Sequence, residues 1–172
     1  MKKLFVDMDG VLARFYEDPA YEDRMHEQGY FAGLRPYEPM LAAVDKLRKR
    51  RDLRVYILTA APNPVASEEK EEWISRMLQG HPIMGVFVVK NGMSKAGYIR
   101  SFYGELTPDD YLLDDHSPNL VDWDAQGGIG IKYLNEFNGK GLHGVNWPGV
   151  RLNGNADAEE IYTELCRIMG LE

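Results

Sequence analysis

Three things are scarce in this chain of 172 residues, and each scarcity removes a class of protein. There is one cysteine, Cys166, so no internal disulfide holds the fold and no cysteine cluster offers a zinc or iron–sulfur site. No apolar run approaches the roughly 20 residues of a membrane-spanning helix, and Met1-Lys2-Lys3 leads straight into a strand pattern with no signal-like segment. A cytoplasmic location is the expectation. Basic charge is also short: the net charge is −7, which argues against wrapping long nucleic acid, a task that wants a basic face. A small phosphorylated ligand is still compatible, since a few donors and a cation suffice to hold one phosphate. With 44% apolar and 27% charged residues, the composition is that of an ordinary globular domain.

What is present begins at Leu4-Phe5-Val6-Asp7-Met8-Asp9-Gly10. A short apolar run of the kind a sheet buries on both faces ends in two carboxylates two residues apart, then a glycine that lets the backbone turn. Alone, an Asp-x-Asp is more often a solvated turn. Further along, Leu53 to Thr59, Met84 to Val89, Tyr111 to Asp115 and Ile129 to Leu134 read as four more strands. Helical spacing starts near Pro39, after a cap at Ser67, after a cap at Ser94 with Lys95 first, around Leu120 to Trp123, and over Asp157 to Met169. The stretch from Asn135 to Asn155 reads as loop. Cys166 lies on the apolar stripe of the last helix, where packing is its expected role.

This alternation implies an α/β fold: a three-layer, Rossmann-like parallel sheet with helices on both faces. Residues 14–37 are irregular and rich in aromatics, too long for a plain connection, and are expected to form a small cap inserted after strand 1. Residues 1–13 and 38–172 are then the core. In such sheets ligands collect beyond the carboxyl ends of the strands. Asp7, Asp9, Thr59, Asp114 and Asp115 all fall at such ends, with Lys95 at a helix start.

Four carboxylates gathered at one edge would repel one another unless a cation sat among them. Oxygen ligands without a His/Cys cluster suit Mg²⁺. Beside such an ion the Asp7 carboxylate could attack a phosphorus, Asp9 could serve the leaving oxygen as acid and the water as base, and Thr59, the backbone N–H groups after it (Ala60) and Lys95 could hold the phosphoryl oxygens.

The set Asp7-Met8-Asp9-Gly10-Val11, Thr59, Lys95 and Asp114-Asp115 resembles the four motifs of the haloacid dehalogenase-like (HAD) phosphatase superfamily, in their usual order. That resemblance implies a HAD-like core, Asp7 as nucleophile, Asp9 as acid/base, Thr59, Ala60 and Lys95 as phosphate binders, and magnesium held by Asp7, the Asp9 carbonyl, Asp114 and Asp115. Asp115 is the favoured direct ligand, with Asp114 acting through water or by orientation. Lys90 competes for the lysine role but lacks the helix start. An acid at Asp9 points to phosphate-ester hydrolysis. Gly29 to Pro36, Glu72-Trp73-Ile74 and Leu112 to Asp115 are similar to features of the 5′(3′)-deoxyribonucleotidases, although the cap is shorter and Ala60-Ala61-Pro62 stands where Ser-Pro is common. The resemblance implies a (deoxy)nucleoside monophosphate as substrate, with Arg14, Tyr30 and Phe31 of the cap as candidate contacts. The alternatives are a sugar-phosphate or other metabolite phosphatase and a non-catalytic HAD-like binding module. Neither long nucleic acid nor a membrane is an expected partner; a homodimer remains open.

Overall fold

The structure, a computed structural model, describes residues 1–80, 83–138 and 147–171. Six parallel strands form one sheet: β1 (Lys2–Val6), β2 (Leu53–Ala61), β3 (Val86–Lys90), β4 (Asp110–Asp114), β5 (Ile129–Leu134) and β6 (Val150–Asn153). Their order is β3-β2-β1-β4-β5-β6, so β1 lies between β2 and β4. The chain winds outward from β1 to β3 and then returns to place β4 on the other side of β1. That reversal opens a crevice beyond the ends of β1 and β4.

Side-chain alternation along the strands makes two cores. Leu4, Val6, Val55, Ile57, Leu113 and Ile131 face α2 (Glu38–Leu47), α3 (Pro64–Met77) and α6 (Ala158–Met169). Phe5, Tyr56, Leu58 and Leu112 face α4 (Lys95–Tyr103) and α5 (Ser117–Ala125). Burial on both faces explains why these strands read as continuous apolar runs. Cys166 is buried in the first core. No helix among the described residues is long and apolar enough to cross a membrane.

Three boundaries depart from the sequence reading. α3 begins at Pro64, with Asn63 rather than Ser67 as its cap: the Asn63 side chain accepts from the Ala66 amide at 2.9 Å, and proline fits the first helical position. β2 runs two residues past Thr59 because Ala60 and Ala61 still pair with Val89 and Lys90. The predicted loop 135–155 contains β6, paired with β5 from Ile131↔Val150 to Leu134↔Asn153. Four residues, only Leu152 of them buried, leave almost no period to read. Residues 139–146 of that predicted loop lie outside the described residues.

The excursion after β1 contains a 3₁₀ turn at Phe15–Glu17 and one helical turn, α1 (Tyr21–Arg24). It leaves and rejoins the core at one place, where the Arg14 amide donates to the Arg35 carbonyl (2.8 Å) and the Tyr37 amide to the Leu12 carbonyl (2.7 Å). Phe15, Tyr30 and Phe31 pack with Ala61 and Ala66 in a third apolar cluster. α3 grips the excursion from beneath. The Glu69 carboxylate accepts the amides of Gly29 (2.5 Å), Phe31 (3.1 Å) and Ala32 (3.4 Å), and the Trp73 indole donates to the Leu34 carbonyl (2.7 Å). Glu69→Ala leaves these amides without their charged acceptor, a loss of about 1–3 kcal/mol. We expect its melting temperature to fall by roughly 3–10 °C; an unchanged melting curve would mean that Glu69 does not anchor the segment.

Candidate active site

Each acidic side chain reaches the crevice from the end of a buried strand. Asp7 lies just past β1, its amide donating to the Leu113 carbonyl at 2.9 Å, and its Oδ1 accepts the Met8 amide at 2.7 Å. The turn that follows needs glycine. Gly10 has φ +71°, and a Cβ there would lie 2.3 Å from Asp115 Oδ2. The motif thus packs directly against the acidic end of β4. Asn135 joins the two, its amide donating to the Gly10 carbonyl (2.9 Å) and approaching Asp115 Oδ2 (3.4 Å).

Ligand oxygens of Asp7, Asp114 and Asp115 all lie within 4.8 Å of one another, and all three residues are buried. Lys95, the first residue of α4, lies between two of them, 3.0 Å from Asp7 Oδ1 and 2.7 Å from Asp114 Oδ2. Asp114 is the more heavily engaged of the acidic pair: it also accepts from the Asn119 amide (2.9 Å) and the His116 backbone (2.8 Å). Asp115 instead lines the cleft. Asp9 is not part of the triad. Its Oδ2 accepts from Lys70 Nζ, and its Oδ1 is buried with no hydrogen-bond partner among the described residues.

Burial dominates the electrostatics. It pushes Asp7 up to about 7, against the lowering effect of Lys95, and holds Asp115 well above the usual carboxylate range, reinforced by Asp114 and Asp7. For Lys95 burial works against the charge, but Asp114 and Asp7 outweigh it and keep the ammonium above its ordinary value. Among the described residues the Asp115 carboxylate faces other acids without a direct ammonium partner, because Lys132 directs its donors to the Asp115 carbonyl and to Ser117 Oγ (2.8 Å). Three hard oxygen donors, one of them under-neutralised, make a set that fits a magnesium ion.

Above the acids is a cleft of about 240 Å³. Ala60, Pro62 and Asn91 line it together with Phe15, Tyr16 and Phe31 from the excursion. Thr59 is fully buried beneath, its hydroxyl oxygen accepting from Lys70 Nζ at 3.1 Å. The structure therefore brings Asp7, Asp9, Thr59, Ala60, Lys95, Asp114 and Asp115 into one neighbourhood.

The cap residues divide. Phe31 lines the cleft, yet it is 1% exposed and its ring stacks on Phe15 with centroids 5.9 Å apart. Tyr30 is also buried, and its hydroxyl donates to the Phe15 carbonyl at 3.1 Å. Neither ring has an open face, because the excursion uses both for its own small core. Arg14 is turned away: its guanidinium donates to the Pro36 carbonyl (3.1 Å), Glu17 (3.2 Å) and Glu136 (3.3 Å), in a separate hollow with Arg35 and Glu38. Lys90, at the end of β3, is exposed.

Sequence reasoning passed over Lys70 and Lys132. Both carry a readable signal: Lys70 falls on the buried stripe Ala66, Lys70, Trp73, Ile74, and Lys132 sits between Ile131 and Tyr133 inside a buried strand. A lysine in either place needs a buried acceptor.

No family model matches the chain. A protein of Vibrio phage KVP40 described as a "Putative 5'(3')-deoxyribonucleotidase" is 31% identical over 131 residues, 67% of each chain. The chain belongs to the 5′(3′)-deoxyribonucleotidase family. Solved structures place that family in the wider HAD fold. A D,D-heptose 1,7-bisphosphate phosphatase from B. bronchiseptica, complexed with magnesium and phosphate, superposes with a TM-score of 0.67 at 16% identity, over 97% of this chain and 99% of that one. An L-2-haloacid dehalogenase gives 0.66 at 12%, over 97% and 99%. The chain is thus a HAD-type phosphatase, and its acidic triad occupies the sheet edge at which α/β folds bind ligands.

The raised carboxyls predict a stability signature. A carboxyl whose folded value is raised contributes stability below the unfolded value near 4, and that contribution is lost as pH rises through the folded value. In metal-free buffer Asp115→Asn should therefore melt close to the parent near pH 4 and several degrees above it at pH 8. Equal melting at both pH values would mean that Asp115 carries no burial penalty.

Proposed function

We propose that the chain is a Mg²⁺-dependent phosphomonoesterase acting on (deoxy)nucleoside monophosphates through an aspartyl-phosphate intermediate. The observation that carries this reading is the convergence of the Asp7, Asp114 and Asp115 carboxylates, within 4.8 Å of one another, at a cleft that Asp7, Asp9 and Asp115 line together with aromatic rings. Asp7, Asp115 and the Asp9 carbonyl would hold the ion, with Asp114 orienting the set through Lys95. Magnesium would supply charge neutralisation for the incoming phosphate.

Asp7 forms the new O–P bond as the ester O–P bond breaks, and Asp9 delivers a proton to the departing alcohol. A water then attacks phosphorus, Asp9 takes its proton, and phosphate leaves with the Asp7 carboxylate restored. Lys95 fixes the Asp7 carboxylate for attack and offers charge to the phosphoryl oxygens. The Thr59 hydroxyl, whose oxygen already accepts from Lys70, has its own proton left to donate to the phosphoryl group.

Two observations favour a nucleoside as the leaving group. The phage relative carries that activity in its description. A hollow of about 460 Å³ adjoins the acid cleft, sharing Tyr16, Asp115 and His116 with it and walled by Tyr21 and Phe137. Tyr16 and Phe137 approach with centroids 6.1 Å apart, and Phe137 is 47% exposed beside the site. The exposed Phe137 ring, unlike Tyr30 and Phe31, has a face free for a ligand, and an aromatic face suits a planar base better than a sugar. A phosphate-release screen over nucleoside monophosphates, sugar phosphates and 4-nitrophenyl phosphate tests the reading. We expect magnesium-dependent turnover that favours nucleotides, loss of about 1,000-fold or more for Asp7→Asn, and a raised KM for nucleotides but not for a small alkyl phosphate in Phe137→Ala. Preference for sugar phosphates, or equal KM changes in Phe137→Ala, would overturn the substrate assignment.

A further inference from the structure

Lys70 is completely buried, and all of its donors are spent at the site. Nζ donates to Asp9 Oδ2, to Thr59 Oγ1 and to the Ala60 carbonyl, and it lies 4.4 Å from the centre of the Phe31 ring. An ammonium with three acceptors in fixed directions locks the torsions of the groups that accept from it. Asp9 is the group for which this matters. With Oδ2 held by Lys70, the other oxygen, Oδ1, is the one left without a partner among the described residues. A buried carboxylate oxygen without a partner is costly in a resting protein and useful only where a proton donor or acceptor will arrive.

Resting on the phosphomonoesterase reading above, we infer that Lys70 is a positioning residue for proton transfer: it pins Asp9 Oδ2 so that Oδ1 alone serves the leaving oxygen and then the attacking water. The same ammonium turns the Thr59 lone pair inward, so the hydroxyl proton is directed away from Lys70. α3 adds a second function to this grip. Glu69, the preceding residue, holds the amides of Gly29, Phe31 and Ala32, and Phe31 covers the Lys70 ammonium. Two adjacent residues of one helix thus tie the roof of the cleft to the proton-transfer group, and the roof's seating fixes the Lys70 position.

The consequence is a dependence on leaving group. An alkyl ester departs as a strongly basic alkoxide and needs the Asp9 proton; 4-nitrophenolate departs with little help. Purified Lys70→Met, nearly isosteric but uncharged, is compared with wild type on glycerol 2-phosphate and on 4-nitrophenyl phosphate in saturating magnesium. We expect kcat to fall by about 100-fold or more on the alkyl ester and by less than about tenfold on the aryl ester. Magnesium with fluoroberyllate, a phosphoryl mimic that binds the nucleophile and the metal site and needs no proton from Asp9, should still raise the variant's melting temperature. Should Lys70→Met fail to fold, Lys70→Gln reads the same ratio. Equal losses on the two esters, or no loss on either, would overturn the positioning role. A wild-type protein inactive on both esters and on nucleoside monophosphates would instead overturn the phosphomonoesterase reading beneath it. Lys70→Arg, which keeps the charge and the donors, should recover part of the alkyl-ester rate, and a value no better than that of Lys70→Met would count against the proposal.

Discussion

Like charge buried in one small volume is the constraint from which this structure follows. The ligand oxygens of Asp7, Asp114 and Asp115 lie within 4.8 Å of one another, and at an effective dielectric constant of about 20 each ionised pair repels by about 3.5 kcal/mol or more. With Asp9 there are four carboxylates, set, among the described residues, against three buried ammonium groups, Lys70, Lys95 and Lys132. The ammonium groups are not interchangeable. Lys95 bridges Asp7 and Asp114, Lys70 serves Asp9, and Lys132 serves a carbonyl and a hydroxyl. Asp115 is left facing its acidic neighbours, which is why its carboxyl is pushed upward, and why the site has an appetite for a further cation.

The fold is what makes such a concentration sustainable. Each acid stands at the end of a strand buried on both faces, so the backbone that carries it cannot relax away from its neighbours. The reversal of strand order between β1 and β4 brings two such ends side by side, and Gly10 allows the turn after β1 to press against Asp115 without a clashing side chain. The excursion above is small but is held at both ends and from below by α3, so that it roofs the acids with its own aromatic core rather than with loose loop.

Much of this was legible in the sequence because the signals are physical ones that survive without coordinates. Apolar runs of strand length alternate with helical periods, and acids or a hydroxyl follow the runs at Asp7, Thr59 and Asp114. The strand ends told which acids gather, but not which side chain each cap ring or buried lysine would pair with. Tyr30 and Phe31 carry no mark that tells a ring packed on Phe15 from a ring open to a base; Tyr16 and Phe137, separated by more than a hundred positions, meet only in space. Arg14 reads either as a ligand contact or as an ion-pair partner of the nearby acids until Glu17, Glu136 and the Pro36 carbonyl are seen to claim it. Lys70 and Lys132 were legible in principle, as cations on buried stripes, but their acceptors were not. β6 escaped because four residues with one buried side chain make no pattern.

A covalent phosphoryl group on Asp7 is the central chemical claim. It is tested most directly by acid-quenching the wild-type enzyme within the first turnover, in magnesium and saturating nucleoside monophosphate, and mapping the modified peptide by mass spectrometry. The structure predicts an acid-stable, alkali-labile phosphoryl group on Asp7, absent from Asp7→Asn. Steady phosphate release with no modified peptide, or with the phosphoryl group on another residue, would contradict it.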